Sequence, residues 1–330
     1  MTGRIAIAGA GAWGTALALA CHRGGHAVTL WAHADATRAD IATNRENTRY
    51  LPGHDIPAAI RVTGVLGAVA DADVVLVATP AQHVRAACQG FAPHHSSDAP
   101  VVICAKGIEQ ATSRRLSEIA AEELPGANIA ILSGPGFAAD VARGRPVALT
   151  LAGADSSAAE TVARDLATAD MRLYWTDDII GVELGGALKN VIAIAAGIVD
   201  GLDLGCSAHA GMVTRGFAEM RRLAEAVGAR PETLGGLSGL GDLILTCGST
   251  QSRNMSLGRA IGGGRAARDV LAERSSVAEG VFTTEAALRL AARHGVDMPI
   301  TQAVSDIVTG ATNVRDGVAA LLDRPLKPED

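Results

Sequence analysis

The sequence contains few aromatic residues and few cysteines. Aromatic side chains make up only 3% of it, so the core must be built from Ala, Val, Leu and Ile. Its 5 cysteines include no Cys-x-x-Cys pair and are odd in number. This pattern predicts neither a disulfide framework nor a zinc site, and we expect no metal in the functional site.

The chain has no excess of positive charge, and we expect no N-terminal leader. A formal net charge of -6 argues against a surface for nucleic acid or an anionic membrane. The first four residues run directly into a strand-like segment, without the apolar stretch and cleavage site of a signal peptide. We therefore expect a cytoplasmic location, and we expect local geometry rather than bulk charge to hold any phosphate ligand.

A glycine-rich loop lies near the start of the chain. The apolar run of residues 4–8 predicts a buried strand and leads into GAGAWG, in which Gly9, Gly11 and Gly14 have GxGxxG spacing. An Ala/Leu-rich helix and a second strand, AVTLWA, follow. The glycines allow a tight turn, close approach of a pyrophosphate, and close packing of helix on strand. This context favours a dinucleotide site over a chance turn.

The residues after the second strand bear on the choice of cofactor. Dinucleotide folds that use NAD place an Asp or Glu there, on the ribose hydroxyls. This chain has Ala32 and His33 instead, and Asp35 comes slightly late, where we expect it to cap the next helix. His33 suits a 2′-phosphate and a solvated loop equally well, so the sequence leaves the preference open.

The first half continues to alternate strands and helices. Residues 73–78, 101–105 and 129–132 predict buried strands, each followed by a polar or Gly/Pro-rich turn. Parallel strands bring such turns to one rim of a sheet, where ligands bind, so Lys106 is either an anion-binding group or an ordinary surface lysine. Residues 146–151 and 172–175 are expected to add edge strands, and residues 44–53 a long loop.

One apolar stretch, residues 181–202, predicts a helix that is buried on most of its faces. Lys189 lies near its middle, where a lysine is costly unless it is paired or faces a polar cavity. Two alternatives remain open: the amine reaches water along the helix surface, or the helix spans a membrane, which a central lysine opposes.

The rest of the chain is helical in pattern. Helices are expected at residues 208–227, 268–273, 283–294 and 314–322, with VAEGVFTT connecting the middle pair. In the segment GLGDLILTCGSTQSRN, Asp242 is either a helix cap or a carboxylate in a cleft. Ser252, Arg253 and Asn254 suit a phosphate, although such a triplet is more often only a loop. We predict an α/β fold with a Rossmann-type doubly wound sheet in residues 1–177 and an all-α domain in residues 178–330.

Taken together, these segments resemble the bacterial NAD(P)-dependent glycerol-3-phosphate dehydrogenase family. The resemblance rests on GAGAWG, WAHA, RENTRYLPG, ATPAQ, KGIE, SGPGFA, GGALKNVIAIAAGI, TRGFAEM, GLGDLILTC, QSRN and VAEG, in this order over most of the chain. It implies an active site between the two domains and the reversible reduction of dihydroxyacetone phosphate to sn-glycerol 3-phosphate by NADPH or NADH. It also implies a role in phospholipid biosynthesis, and we expect a homodimer without stable membrane insertion.

The resemblance implies roles for individual residues. Lys189 is the expected proton donor and acceptor, assisted by Lys106 and Asp242, and its amine is expected to be oriented by Asp242 and Asn190. The expected substrate contacts are Lys106, Gly134, Gly136, Lys189, Asp242, Ser252, Arg253 and Asn254. The expected cofactor contacts are Gly9, Gly11, Ala12, Trp13, Gly14, His33, Lys106, Ala138, Arg253, Val277 and Glu279.

The chain departs from the usual family pattern at three positions. Gly136 replaces a common Ser or Thr, Asp140 a Glu, and Ser207 an Asn. Two other functions are considered: a β-hydroxyacid dehydrogenase, against which QSRN and GLGDLILTC argue, and a non-enzymatic dinucleotide sensor. A sensor has no need of Lys189, Asp242 or the Ser-Arg-Asn triplet.

Overall fold

The computed structural model describes residues 3–96, 98–273 and 278–325. The strands are β1 (Arg4–Ala8), β2 (Ala27–Trp31), β3 (Glu46–Asn47), β4 (Leu51–Asp55), β5 (Arg61–Thr63), β6 (Val74–Val77), β7 (Val101–Ile103), β8 (Ile129–Ser133), β9 (Val147–Ala152) and β10 (Met171–Thr176). The helices are α1 (Ala12–Arg23), α2 (Asp35–Asn44), α3 (Val84–Phe91), α4 (Leu116–Glu123), α5 (Ala138–Ala142), α6 (Ser156–Leu166), α7 (Ile179–Gly201), α8 (Gly205–Val227), α9 (Pro231–Leu234), α10 (Asp242–Cys247), α11 (Arg253–Gly262), α12 (Ala267–Ala272), α13 (Glu279–Arg293), α14 (Pro299–Thr309) and α15 (Val314–Leu322).

The main sheet has the strand order β10-β9-β8-β7-β6-β1-β2-β5. Neighbouring strands pair in parallel except β8 and β9, which are antiparallel. The chain order reverses between β1 and β6, and this switch point is where a doubly wound sheet binds its ligand. The predicted fold class is confirmed: a Rossmann-type sheet, followed after β10 by a helical region in the described residues. The division at residues 177 and 178 stays a prediction.

Helix α7 is the central element of the second half. Every residue from Gly181 to Val199 is buried, and α8, α11 and α13 pack around it. A Cβ on Gly258 of α11 would lie 2.0 Å from the carbonyl oxygen of Ile194, so only glycine permits so close a crossing. Although α7 is long and apolar enough to span a membrane, 89% of its most apolar window is buried inside the protein, as expected for a core helix.

Expectations about secondary structure were wrong at the edge of the sheet, in residues 44–53 and at Asp35. Residues 146–151 and 172–175 were both expected to form edge strands. The second of them, β10, does lie at the edge of the sheet, but the first, β9, lies inside it between β8 and β10. The segment expected to be a loop contains the β3–β4 hairpin, whose register shift and two-residue first strand hide the usual alternation. Asp35 does not cap α2: Ala34 occupies the cap position, and the Asp35 carboxylate pairs with Arg38.

Helix α13 begins four residues before the expected helix at residue 283, inside the segment that was expected to connect two helices. The hydroxyls of Thr283 and Thr284 donate back to the carbonyl oxygens of Glu279 and Val281 in the preceding turn. Threonines of this kind are neutral or unfavourable by helix propensity, which explains why the pattern was missed.

Candidate active site

The Lys189 amine is buried between α7 and α10. Lys189 is only 8% exposed. Its Nζ donates to Asp242 Oδ1 at 2.8 Å and to Thr246 Oγ1 at 2.7 Å. Of the alternatives open from the sequence, the structure therefore supports the buried, paired lysine rather than an amine that reaches water.

Asp242 joins two lysines that come from different halves of the chain. It is the first residue of α10 and is 1% exposed, but its side chain makes no cap hydrogen bond. Its Oδ2 accepts from Lys106 Nζ at 2.6 Å, while Oδ1 accepts from Lys189. Asp242 is therefore a carboxylate directed into the cluster, the second of the two alternatives left open by the sequence.

Lys106 and Gly134 lie at the carboxyl ends of β7 and β8, at the rim where ligands were expected. Besides its bond to Asp242, Lys106 Nζ donates to the carbonyl oxygen of Gly134 at 2.9 Å. It also lies 5.9 Å above the ring of Trp13, a distance at which a cation is attracted to an indole face. Lys106 is thus held between the dinucleotide loop, the β8 turn and Asp242, and is not an ordinary surface lysine.

The charges of the cluster shift the pKa values of its members. Burial lowers the pKa of Lys189 to about 8; the carboxylate of Asp242 opposes this shift, and the positive charge of Lys106 adds to it. Burial alone would raise the pKa of Asp242, but the two lysines hold it below its usual value. A buried amine with a pKa near neutrality can both donate and accept a proton under physiological conditions.

A pair of asparagines lies beside the lysine cluster. Asn190 Oδ1 accepts from Asn254 Nδ2 at 2.9 Å, and Asn254 Oδ1 accepts from the backbone N–H of Gly280 at 3.0 Å. Successive residues on a helix point about 100° apart, so Asn190 cannot share the direction of Lys189. Asn190 was expected to orient the lysine amine, but its side chain binds Asn254 of α11 instead, and Asn254 in turn binds the start of α13.

The Ser-Arg-Asn triplet forms the start of a helix rather than a loop. Ser252 caps α11 by accepting from the N–H of Met255 at 3.2 Å, and Ser252 and Asn254 are buried. Arg253 is exposed at the first helical position. A helix N-terminus with an arginine is well suited to bind a phosphate. Burial raises the pKa of the nearby Glu279 carboxyl, and the charge of Arg253 counteracts this.

The glycine loop fits a dinucleotide. Gly9 has a φ of 126°, and a Cβ on Gly14 would lie 1.8 Å from the Gly9 carbonyl oxygen, so both positions need glycine. A Cβ on Gly11 would meet nothing within 4 Å, which leaves open space at the N-terminus of α1. No side chain caps α1, so its first N–H groups remain available to an anion, as a pyrophosphate requires.

Several buried polar atoms around the cleft have no hydrogen-bond partner within the part of the chain that the structure describes. They are Trp13 Nε1, Thr79 Oγ1, Ser133 Oγ and Glu279 Oε2. Buried polar atoms are nearly always paired, and polar ligands are a natural source of the missing partners. The residues present therefore fit a bound nicotinamide dinucleotide and a polar substrate.

An arginine that the sequence did not point to, Arg38 of α2, lies beside Ala32 and His33. His33 is exposed, with its ring 5.7 Å from that of Trp31. Arg38 Nη1 donates to the carbonyl oxygens of Ala32 and His33 at 2.6 and 2.8 Å. The spacing of Arg38 in the sequence could have indicated this. It lies three to four residues past the β2–α2 turn, on the face of α2 that is directed towards that turn.

The structure describes the positions of three further residues expected at the site, Gly136, Ala138 and Ala12. A Cβ on Gly136 would lie 3.4 Å from the Trp13 ring and 3.2 Å from Val147, so the glycine leaves room for the indole. Ala138 is the first residue of α5, directly after the β8 turn. Ala12 is the first residue of α1, beside Gly11. Val277 lies outside the described residues.

The chain is similar to known proteins over nearly its whole length. The sequence model described as NAD-dependent glycerol-3-phosphate dehydrogenase N-terminus matches residues 4–159, and its C-terminal counterpart matches residues 178–319. The glycerol-3-phosphate dehydrogenase (NAD(P)+) of Parvibaculum lavamentivorans is 52% identical over 326 residues, which cover 99% of this chain and 98% of that protein. The Caulobacter vibrioides protein of the same name is 51% identical with the same coverage. A crystal structure of glycerol-3-phosphate dehydrogenase from Coxiella burnetii matches with a TM-score of 0.93 and 37% identity, covering 98% of this chain and 99% of that one.

Proposed function

The chain belongs to the NAD-dependent glycerol-3-phosphate dehydrogenase family, and we propose that Lys106, Asp242 and Lys189 form the centre at which it performs that family's reaction. The protein is an oxidoreductase that reversibly reduces dihydroxyacetone phosphate to sn-glycerol 3-phosphate with NAD(P)H. The observation that carries the site assignment is the buried amine of Lys189, bonded to Asp242 and with a pKa lowered to about 8.

Lys189 is the proton donor for reduction and the proton acceptor for oxidation. When bound, the reduced cofactor supplies a hydride to the C2 carbon of the substrate. The C2 oxygen gains negative charge in this step, and Lys189 Nζ neutralises it by giving up a proton. A pKa near 8 supports this role, because both forms of the amine are then accessible near neutral pH. Asp242 and Thr246 hold the amine in one direction.

The substrate phosphate is bound by groups that converge on the cluster. Arg253 supplies a positive charge at the N-terminus of α11, and Ser252 and Asn254 flank it. Lys106 and the backbone at Gly134 and Gly136 line the opposite rim, where Lys106 also compensates the charge of Asp242. Gly136 brings no hydroxyl, so this chain binds the substrate there through backbone alone.

The glycine loop and the first turn of α1 would hold the cofactor pyrophosphate with their N–H groups, and His33 would face the ribose. The residues that we assign to the cofactor are Gly9, Gly11, Ala12, Trp13, Gly14, His33, Lys106, Ala138, Arg253, Val277 and Glu279. The enzyme uses NADP and NAD.

The cellular setting forms part of the same proposal. The product is the glycerophosphate unit of phospholipids, so the reaction supplies phospholipid biosynthesis. We place the enzyme in the cytoplasm, as a homodimer folded from the units 1–177 and 178–330. Sedimentation of the purified protein at several concentrations tests the dimer, and limited proteolysis tests the boundary between the units.

The activity is tested by following the oxidation of NADPH and NADH with dihydroxyacetone phosphate as substrate. A small 2-methyl-3-oxo acid, the substrate type of a β-hydroxyacid dehydrogenase, serves as the comparison. We expect turnover with dihydroxyacetone phosphate alone. Turnover with the oxo acid alone would favour the related dehydrogenase, and nucleotide binding without turnover of either would favour a dinucleotide sensor.

A further inference from the structure

The segment RENTRYLPG contributes a buried asparagine to the glycine loop. Asn47 of β3 has no exposed surface. Its Nδ2 donates to the carbonyl oxygen of Ala10 at 2.9 Å and to Thr15 Oγ1 at 2.9 Å. Ala10 lies between the first two glycines of the loop, and Thr15 lies in the first turn of α1. The amide of Asn47 thus links the glycine loop to the helix that follows it, although Asn47 is 32 or more residues away from both partners in the sequence.

The bond to Ala10 determines where the Gly11 N–H points. The C=O and N–H of a trans peptide point in opposite directions, and the described residues contain no cis peptide. Because the Ala10 carbonyl is directed at Asn47, the N–H of Gly11 is directed away from Asn47. A Cβ on Gly11 meets nothing within 4 Å, so the backbone there borders open space.

Asn47 is itself held firmly. The neighbouring Thr48 donates to Asp40 Oδ2 of α2 through its N–H and its hydroxyl, at 2.8 and 2.7 Å. On the other side, Arg45 and Ile56 exchange hydrogen bonds, with Ile56 N donating to Arg45 O at 2.6 Å and Arg45 Nε donating to Ile56 O at 2.9 Å. These bonds close the β3–β4 hairpin against α2, so the hairpin presents Asn47 in one orientation.

From this geometry we infer that Asn47 is a positioning residue for the cofactor pyrophosphate. By turning the Ala10–Gly11 peptide, it aims the Gly11 N–H and the first turn of α1 at the phosphates. The inference rests on the cofactor site proposed above. It assigns the RENTRYLPG segment a structural function: the segment holds the glycine loop in position from outside the main sheet.

The test is direct binding of nucleotide in the absence of substrate. Purified Asn47→Leu, which has nearly the same shape but no donor, is titrated with NADPH and with NADH by following the fluorescence of the nucleotide. Loss of the aimed N–H groups should raise both Kd values by about tenfold. The pyrophosphate is common to both nucleotides, so the two values should rise by the same factor. Gln302→Leu, which removes an exposed amide of α14 far along the chain, is the control and should bind as wild type does.

The outcomes separate this inference from the site assignment. Gly11→Val should abolish binding without unfolding the protein, because its side chain enters open space. If Gly11→Val binds normally, the proposed cofactor site itself fails. Suppose that Gly11→Val abolishes binding. The inference about Asn47 alone is then overturned if Asn47→Leu binds both nucleotides within twofold of wild type, or if Asn47→Leu weakens the binding of only one of them.

A second variant covers the case in which Asn47→Leu does not fold. Asn47→Ala leaves room for a water to satisfy the Ala10 carbonyl, but it removes the side chain that sets the direction of the peptide. Asn47→Ala should show the same equal rise in both Kd values. Loss of folding in both variants would overturn the inference, because Asn47 would then serve the fold as a whole.

Discussion

Lys189 of α7 and Asp242 of α10 lie 53 positions apart in the sequence, and a 2.8 Å hydrogen bond joins them in the interior of the protein. The other carboxylate oxygen of Asp242 accepts from Lys106, so one anion serves two cations. Removing any one of the three groups changes the electrostatics of the other two. Variants of this cluster must therefore be compared by their pH profiles as well as by their rates.

The first prediction concerns the pH dependence of Asp242→Asn. The wild-type carboxylate raises the pKa of Lys189, whereas burial and Lys106 lower it. Reduction needs the protonated amine, so its kcat falls as pH rises through a midpoint near the pKa of about 8. Without the carboxylate this midpoint should move to lower pH, in profiles of kcat measured at saturating dihydroxyacetone phosphate. A midpoint that stays in place or moves upward would separate Asp242 from the proton donor.

The second prediction concerns the substrate phosphate. If Arg253 binds it, Arg253→Ala should raise the KM for dihydroxyacetone phosphate by about 10 to 150-fold, the loss expected for a charge-assisted hydrogen bond. The KM for the cofactor is measured alongside, because Arg253 is also assigned to the cofactor. Arg259→Ala, on the same helix but paired with Asp200, is the control and should leave both values unchanged. A normal KM for dihydroxyacetone phosphate in Arg253→Ala would remove Arg253 from the substrate site.

The third prediction concerns the choice between cofactors. The carboxylate of Asp35, at the start of α2, is paired with Arg38. We therefore expect NADP(H) to be used at least as well as NAD(H). Arg38→Ala should reduce kcat/KM for NADPH by about tenfold relative to NADH, because a cation at the 2′-phosphate is lost. His33→Ala, tested in parallel, separates the contribution of the imidazole. A strong preference for NADH that neither variant changes would contradict this prediction.

The sequence predicted those features that depend on local composition. The glycine spacing between a strand and a helix predicted the tight loop that we assign to the cofactor, and the structure shows that only glycine satisfies the contacts at Gly9 and Gly14. An apolar stretch with a single lysine identified α7 and Lys189, because a buried amine needs a partner. The partner, Asp242, could be named only as one of two alternatives, since a cap and a cleft carboxylate look alike in sequence.

The features that were missed depend on contacts between distant segments. Asn47 lies in a hairpin whose short strands carry no periodic pattern, and its bonds to the glycine loop span 32 residues or more. The pairing of Asn190 with Asn254 follows from the close crossing of α7 and α11, which depends on glycines such as Gly258. Nor does strand propensity distinguish β9 as an inner strand from an edge strand, because strand order is set by tertiary packing.

The substitution Lys189→Arg is a control for charge. It keeps a cation at the position and so preserves the attraction to Asp242. A guanidinium does not release its proton near neutral pH, so it cannot act as the donor. We therefore expect Lys189→Arg to be as inactive as a variant that lacks the charge. Recovery of activity in Lys189→Arg would mean that the positive charge, and not proton transfer, is what the reaction needs.

The most direct test of the account is the kcat of Lys189→Met with dihydroxyacetone phosphate and NADPH. Methionine keeps the length of the stem and the apolar surroundings but deletes the amine. General acid catalysis contributes about 10²–10⁴-fold, so kcat should fall by that factor while thermal stability and the Kd for NADPH stay near wild type. A folded Lys189→Met variant that binds NADPH and retains more than about a tenth of the wild-type kcat would contradict the assignment of Lys189 as the proton donor.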